Sequence, residues 1–202
     1  MSVPQGSRRR ALVALAAFAP LCPVHAGAQL EEPLADAVRS ALSAAIHYSA
    51  PPVPAFVDVA SRARYQQWHQ ASAARLASRM SEPVLRDEFL QTLWYEAKRA
   101  GLEVALVLGL VQVESGFRKF ALSRAGARGY MQVMPFWARL IGDGDPAVLF
   151  HTQTNLRFGC VILRHYVDRE AGNTAMALGR YNGSRGQMAY PDAVLAAQRI
   201  WE

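Results

Sequence analysis

A mainly α-helical protein is predicted by three features of the 202-residue sequence. Apolar residues recur at helical spacing, as in Leu85, Phe89, Leu93 and Ala97. Strand signals are few, so helices must supply most of the packed layers. Gly, Pro and Asn fall mainly between the periodic segments, where helices stop. Half of the residues, 51%, are hydrophobic and 19% are charged. That is ordinary for a globular chain, and the length suffices for one domain with a core plus an extension.

The elements follow in chain order. Arg8, Arg9 and Arg10 precede the apolar run ALVALAAFAPL, and Ala26-Gly27-Ala28 supplies small residues at a cleavage position. A basic start, a short apolar run and an A-x-A site make residues 1–28 a secretory signal peptide. The run is too short to span a bilayer, so no stable membrane span is expected after cleavage. Cleavage after Ala28 removes three arginines and no acid from a formal charge of +6, leaving +3. Residues 29–80 read as a helical extension of unknown role. It is alanine-rich over 31–49, broken by SAPPVPAF, and helix-compatible again over 57–79. The principal domain is expected over 81–202. Ser81 is the expected cap of its first helix, with Pro83 in the first turn and Gly101 after the last. LEVALVLGLVQVES is apolar on every side, which makes it a central helix with Val107, Leu110, Val111 and Glu114 along one face. Residues 124–128 read as a loop, and YMQVMPFWARLIG as a short helix interrupted by Pro135. GDGDP is a turn cluster. Residues 154–170 form an amphipathic helix, a further helix begins over 174–178 and stops at Tyr181-Asn182-Gly183, and the last runs from Tyr190 to Trp201.

Several function classes are excluded by what is missing. There is no HExxH pair, no metal-spaced cluster of Cys, His and carboxylates, no GxSxG elbow and no phosphate or dinucleotide glycine loop. No metal and no cofactor is expected. Basic residues form no dense aromatic-interleaved stripe, so nucleic acid is not the partner. Cys22 follows Pro20-Leu21, which does not suit a lipid anchor. Cys160 then stands alone in the mature chain, without an internal disulfide, and reads as a small buried hydrophobe.

One residue stands out. In VLGLVQVESGF an apolar run ends in a carboxylate, Glu114, followed by Ser115 and Gly116. The negative end of the helix dipole and apolar burial both disfavour its charge. A carboxyl kept protonated near neutrality is what a general acid for ether-oxygen departure requires. A glutamate turned to solvent at a helix end explains the stretch equally well when it is taken alone.

Three further blocks follow: SRAGARGYMQVMP at 123–135, TNLRFG at 154–159 and GRYNGS at 179–184. With ESGF, in this order and at these spacings, they resemble the catalytic domain of soluble lytic transglycosylases, over roughly residues 85–201. The resemblance implies a lysozyme-like fold and a periplasmic enzyme acting as a monomer on peptidoglycan. It implies that Glu114 protonates the bond between N-acetylmuramic acid and N-acetylglucosamine. Glu114 then takes the proton of the muramyl 6-hydroxyl as that oxygen closes a 1,6-anhydro ring. Two-carboxylate glycosidases need a second acid. None lies between Glu114 and Asp143, although Asp143 or Asp145 could be brought in by folding. A hydrolytic muramidase or chitinase on the same fold is the first alternative. A non-catalytic wall-binding or secretion-assembly protein is the second.

The resemblance also assigns roles around Glu114. Ser115 and Gly116 turn the chain beside the cleft, and Ser123 and Gln132 offer hydrogen bonds to sugar. Met134 forms cleft wall or core. Tyr181 is expected to hold Glu114 in position, against the alternative of a packed core tyrosine. Asn182 shapes its turn or faces substrate, and Tyr190 stacks on sugar or covers the core. Tyr130, Arg180 and Ser184 depart from the family pattern, which bears on subsite preference rather than on the reaction.

Overall fold

The computed structural model describes residues 40, 42–43, 53–141 and 144–202. The predicted signal peptide, most of the predicted 31–49 helix, and Asp143 lie outside these residues. Among the described residues the protein is helical, with two isolated bridges, Leu122 to Arg128 and Arg128 to Val133, in place of strands. None of these helices is long and apolar enough to cross a membrane.

Helix α1 (Val59–Leu76) opens with a capping box. Asp58 accepts from the Ser61 N–H at 2.6 Å, and the Ser61 hydroxyl accepts from the Asp58 N–H. Helix α2 (Pro83–Arg99) is capped by Glu82 rather than by Ser81. Pro83 occupies the first helical position, which fixes the cap one residue later than expected. Helix α3 (Val104–Ser115) is buried nearly all round, as its sequence demands. Helix α4 (Pro135–Ile141) starts at the proline that was expected to interrupt it. Proline fits a first turn and disrupts an interior, so Tyr130 to Met134 stay outside the helix. A 3₁₀ turn (Pro146–Phe150) follows, capped by Asp145, whose carboxylate accepts from the Ala147 N–H at 2.8 Å. It was not foreseen, although Asp before Pro is a helix-start signal. Helices α5 (Thr152–Arg169), α6 (Thr174–Asn182) and α7 (Ala189–Trp201) complete the chain. Helix α6 ends where expected, at Asn182, because Gly183 at φ 81° provides the left-handed cap.

The core lies around α3. Val107, Leu108, Leu110 and Val111 are fully buried with Leu93 of α2, Leu163 of α5, Leu178 of α6 and Val194 of α7. Leu42, Leu76 and Met80 belong to the same cluster, so α1 contributes to this core. Cys160 is buried there too, and burial pushes its thiol well above the usual range. Helices α3 and α7 pack closely along their lengths. Gly109 permits it: a Cβ there would lie 2.7 Å from the Gln198 nitrogen and 2.9 Å from the Val194 oxygen. Both are backbone atoms, so only a helix shift relieves the clash. Gly109→Ala is expected to cost about 1–3 kcal/mol, read as a melting-temperature drop of roughly 2–4 °C per kcal/mol. Gln112 adds a polar tie between these helices, accepting from Trp201 Nε1 at 3.1 Å and from Arg79 at 3.2 Å.

Among the described residues an ion pair crosses the core. Arg157 of α5 donates to both oxygens of Glu96 of α2, Nε to Oε2 at 2.5 Å and Nη2 to Oε1 at 2.7 Å. Glu96 is 1% exposed and Arg157 5%. Two buried charges are tolerable only in such a bidentate arrangement.

Candidate active site

Glu114 occupies the last turn of α3 and is 7% exposed. Gly116 ends the helix at φ 58°, and Phe117 continues in the left-handed region at φ 66°. Glycine adopts this conformation freely, whereas phenylalanine must be held there, as the buried Phe117 is. The chain therefore reverses immediately after the acid.

The two carboxyl oxygens have different surroundings. The Tyr190 hydroxyl donates to Oε1 at 2.5 Å. Oε2 is buried and has no hydrogen-bond partner. Burial raises the Glu114 pKa to about 8, opposed in part by the Tyr190 hydrogen bond, which favours the charged form. A protonated carboxyl with its proton on Oε2 satisfies both oxygens' environments: Oε1 accepts from tyrosine, and Oε2 is left free to donate. Burial also pushes the Tyr190 phenol well above its usual range, with Glu114 and Tyr181 acting in the same direction. Tyr190 therefore remains a donor to Glu114 throughout the pH range in which Glu114 titrates.

This geometry reassigns two tyrosines. Tyr181 was expected to hold Glu114, but its hydroxyl donates to the Met131 carbonyl at 2.8 Å. Tyr190, whose role the sequence left open between sugar stacking and core cover, is the phenol on Glu114. The reason is where the helices end. Tyr190 enters at the start of α7, which packs along α3, while Tyr181 leaves α6 beneath the 128–133 loop. Tyr190→Phe is expected to raise the Glu114 pKa above 8 and so to move the alkaline limb of a pH–rate profile upward. Tyr181→Phe should leave that limb in place, and the two profiles measured side by side make the check.

The 121–133 loop is held by residues expected to face sugar. Ser123 Oγ accepts from the Ala127 N–H at 3.0 Å, and the Ser123 N–H donates to the Ala127 carbonyl. Gln132, at φ 49° and 2% exposed, donates through Nε2 to the carbonyls of Ala121 at 3.2 Å and Gly129 at 3.0 Å. These bonds clamp the loop on itself, using the acceptor of Ser123 and the Nε2 donors of Gln132. Ser115 is 1% exposed, and its hydroxyl donates to the Val111 carbonyl one turn back. Short polar side chains reach local backbone before they reach across a cleft. Met134 is half-buried against the core, and Asn182 is 5% exposed at the end of α6. Asp145, once a possible second acid, is committed to its 3₁₀ cap.

Asn155 was missed as a site-forming residue. It accepts from the Met131 N–H at 2.8 Å and donates to the Arg128 and Leu149 carbonyls, each at 2.8 Å. It thus fixes the loop to α5 from below. Gly129 makes room for it, since a Cβ there would lie 2.4 Å from Asn155 Nδ2. The available signal was a polar residue inside the apolar TNLRFG block, which can be buried only with its hydrogen bonds met. Arg164 and Arg180 are ion-paired to Asp168 and Glu170. Among the described residues, no three His, Cys, Asp or Glu side chains gather as a metal site.

Comparison with known proteins gives one family and one fold. The family model for the transglycosylase SLT domain matches residues 92–194. Membrane-bound lytic murein transglycosylase C of Actinobacillus pleuropneumoniae serotype 5b is 38% identical over 84 residues, covering 38% of this chain and 23% of the relative. That of Glaesserella parasuis serovar 5 is 49% identical over 75 residues, covering 33% and 21%. That of Mannheimia succiniciproducens is 39% identical over 114 residues, covering 49% and 32%. The matched region is therefore between a fifth and a third of these relatives' lengths. Among solved structures, an inactive mutant of the lytic transglycosylase Slt from Pseudomonas aeruginosa superposes with a TM-score of 0.51 at 20% identity, covering 86% of this chain and 38% of that one. This likeness shows the fold, and the mainly α, lysozyme-like architecture expected from the sequence is the one found.

Proposed function

Because the chain belongs to the transglycosylase SLT domain family, we propose that it is a peptidoglycan lytic transglycosylase in which Glu114 works alone, first as acid and then as base. The observation that carries this reading is the asymmetric carboxyl: Oε1 held by Tyr190, Oε2 buried and unpartnered, pKa about 8.

In the first step Oε2–H protonates the glycosidic oxygen between N-acetylmuramic acid and N-acetylglucosamine. The carbon–oxygen bond breaks, and positive charge develops at the anomeric carbon. The substrate's own N-acetyl group stabilises that cation, as in substrate-assisted glycosidases. In the second step the Glu114 carboxylate removes the proton of the muramyl 6-hydroxyl, whose oxygen bonds to the anomeric carbon. Glu114 is protonated again and a 1,6-anhydro end results, without net consumption of water. Tyr190 supports both halves: its hydrogen bond orients the acid and stabilises the carboxylate once the proton has left. Met134 and Asn182 shape the surroundings of this acid, and the clamped 121–133 loop keeps its wall rigid. The enzyme is exported, with residues 1–28 as the signal, and acts as a monomer on glycan strands in the periplasm.

Mass spectrometry of a peptidoglycan digest tests the reading. The expected products are 1,6-anhydromuropeptides, lighter by one water than the corresponding reducing ends. Reducing-end products would instead make the protein a hydrolase, with water in place of the 6-hydroxyl. Glycan binding without any products would make it a binding protein.

A further inference from the structure

Helices α1 and α2 face each other across an open groove that shares no residue with the Glu114 site. Its volume is about 400 Å³, and it is lined by Tyr65, Gln66, His69, Gln70, Asp87 and Gln91. The lining is regular. Tyr65 and His69 are four residues apart on α1, as are Gln66 and Gln70, and Asp87 and Gln91 are four apart on α2. Residues at this spacing stack one above another on a helix, so each wall carries a ladder of polar side chains. Gln66 and Gln70 are exposed, and among the described residues neither amide has a hydrogen-bond partner.

The aromatic element is anchored from behind. Tyr65 lies 5.0 Å from Trp94 in an edge-on arrangement and 5.1 Å from Phe56. Its ring is therefore held in place while the residue remains only partly buried. Asp87 lies close enough to Tyr65 to push the phenol above its usual range, after burial as the larger cause. It also stands 3.7 Å from His69 Nε2. The groove thus combines a fixed aromatic ring, amides able both to donate and to accept, and one carboxylate facing an imidazole.

Each feature narrows the ligand. The Gln66 and Gln70 amides and the Asp87 carboxylate suit a ligand rich in hydroxyl and amide groups. The partly buried Tyr65 adds an aromatic, amphipathic side chain to the lining, and such a side chain costs little entropy on binding. The lining has no lysine or arginine, which disfavours phosphate or carboxylate recognition. The volume lies within the range of small-ligand sites. We propose that the α1–α2 groove is a second saccharide-binding site, taking neutral N-acetylated amino-sugar units of a glycan strand. It rests on the proposed function in that the same strand reaches both sites, and it gives α1 a role in holding substrate beside the catalytic domain.

The test is a chemical-shift titration of the full chain carrying Glu114→Gln, with N-acetylglucosamine tetramer as probe. Perturbed amides are expected over 65–70 and 87–91. Adding Gln66→Ala and Gln70→Ala should weaken that set at least tenfold without moving the set around Glu114. These glutamines are exposed, so their loss does not ask the Tyr65–Trp94–Phe56 cluster to repack. Shifts confined to the surroundings of Glu114 would overturn the proposal, as would an α1–α2 response unaffected by the two substitutions. A response at α1–α2 with none near Glu114 would support the groove and count against the catalytic reading. No response at either place would overturn the groove.

Discussion

Glu114→Gln is expected to reduce formation of 1,6-anhydromuropeptides by at least about 10²–10⁴-fold, the usual contribution of a positioned general acid. The same substitution should make the protein more stable above neutral pH. Wild-type Glu114 has a folded-state pKa of about 8 against an ordinary 4.5, because burial penalises its charge. The folded protein therefore holds the proton more tightly than the unfolded chain does. Below about pH 4.5 both states are protonated and the group has no effect. As pH rises from 4.5 towards 8, the unfolded chain releases its proton at no cost while the folded protein resists, so stability falls. Beyond about pH 8 the loss levels off. Glutamine keeps the shape without the proton linkage. The gain over wild type should be near zero at pH 4 and grow to a few kcal/mol by pH 8, on the order of ten degrees in melting temperature. Thermal melts of the two proteins at pH 4, 6 and 8 measure it. Equal melting differences at all three values would mean that Glu114 is not buried as a neutral acid. A residue that depresses stability at the pH of function is characteristic of sites kept for chemistry rather than for packing.

Arg157→Met is the second large effect, and it concerns stability. It strips Glu96 of its bidentate partner and leaves a carboxylate 1% exposed. The remaining cation, Arg99, stands 3.8 Å away and is more than a third exposed. Removing one partner of a buried pair costs about 3–5 kcal/mol, which for a chain of this size is a fall of roughly 10 °C or more. The double variant Glu96→Leu, Arg157→Met should recover most of that loss, because it removes the uncompensated charge and fills the space with apolar atoms. Differential scanning calorimetry of wild type, single and double variants decides the matter. A double variant as unstable as the single one would show that the pair contributes through packing geometry rather than through mutual neutralisation. Transglycosylase activity of the double variant, assayed well below its melting temperature, should stay close to wild type. The pair lies between α2 and α5 and makes no contact with Glu114 or its tyrosine.

The helices and the acid itself were legible because their causes are local. LEVALVLGLVQVES had to be a central helix since it is apolar on every side, and a carboxyl at its end had to be buried or turned outward. The four blocks then selected burial and chemistry over solvent. Helix ends were less legible. Ser81 and Glu82 both make adequate caps, and only the position of Pro83 in the folded helix separates them. Pro135 likewise reads as a break or as a beginning until the preceding loop is seen to be pinned by Asn155.

Partner choice was not legible at all. Tyr190 and Glu114 are 76 residues apart in sequence, and Arg157 and Glu96 are 61 apart. Tyr181 was the phenol expected on the acid and Tyr190 was left between sugar and core, and nothing in their immediate sequence reverses that order. The choice is made by the approach of α7 to α3, which depends on Gly109 lacking a Cβ against the α7 backbone. Likewise, Ser115, Ser123 and Gln132 each bond to nearby backbone carbonyls and amides, which their sequence positions do not announce. The sequence by itself determined the helical class, the buried position of one carboxyl and the family to which its surroundings belong, because composition, periodicity and short motifs encode these locally. The tertiary structure alone decided which hydroxyl holds that carboxyl, which oxygen remains free, and which polar residues are committed to the loop, because those are outcomes of helix packing over distances that no local pattern records.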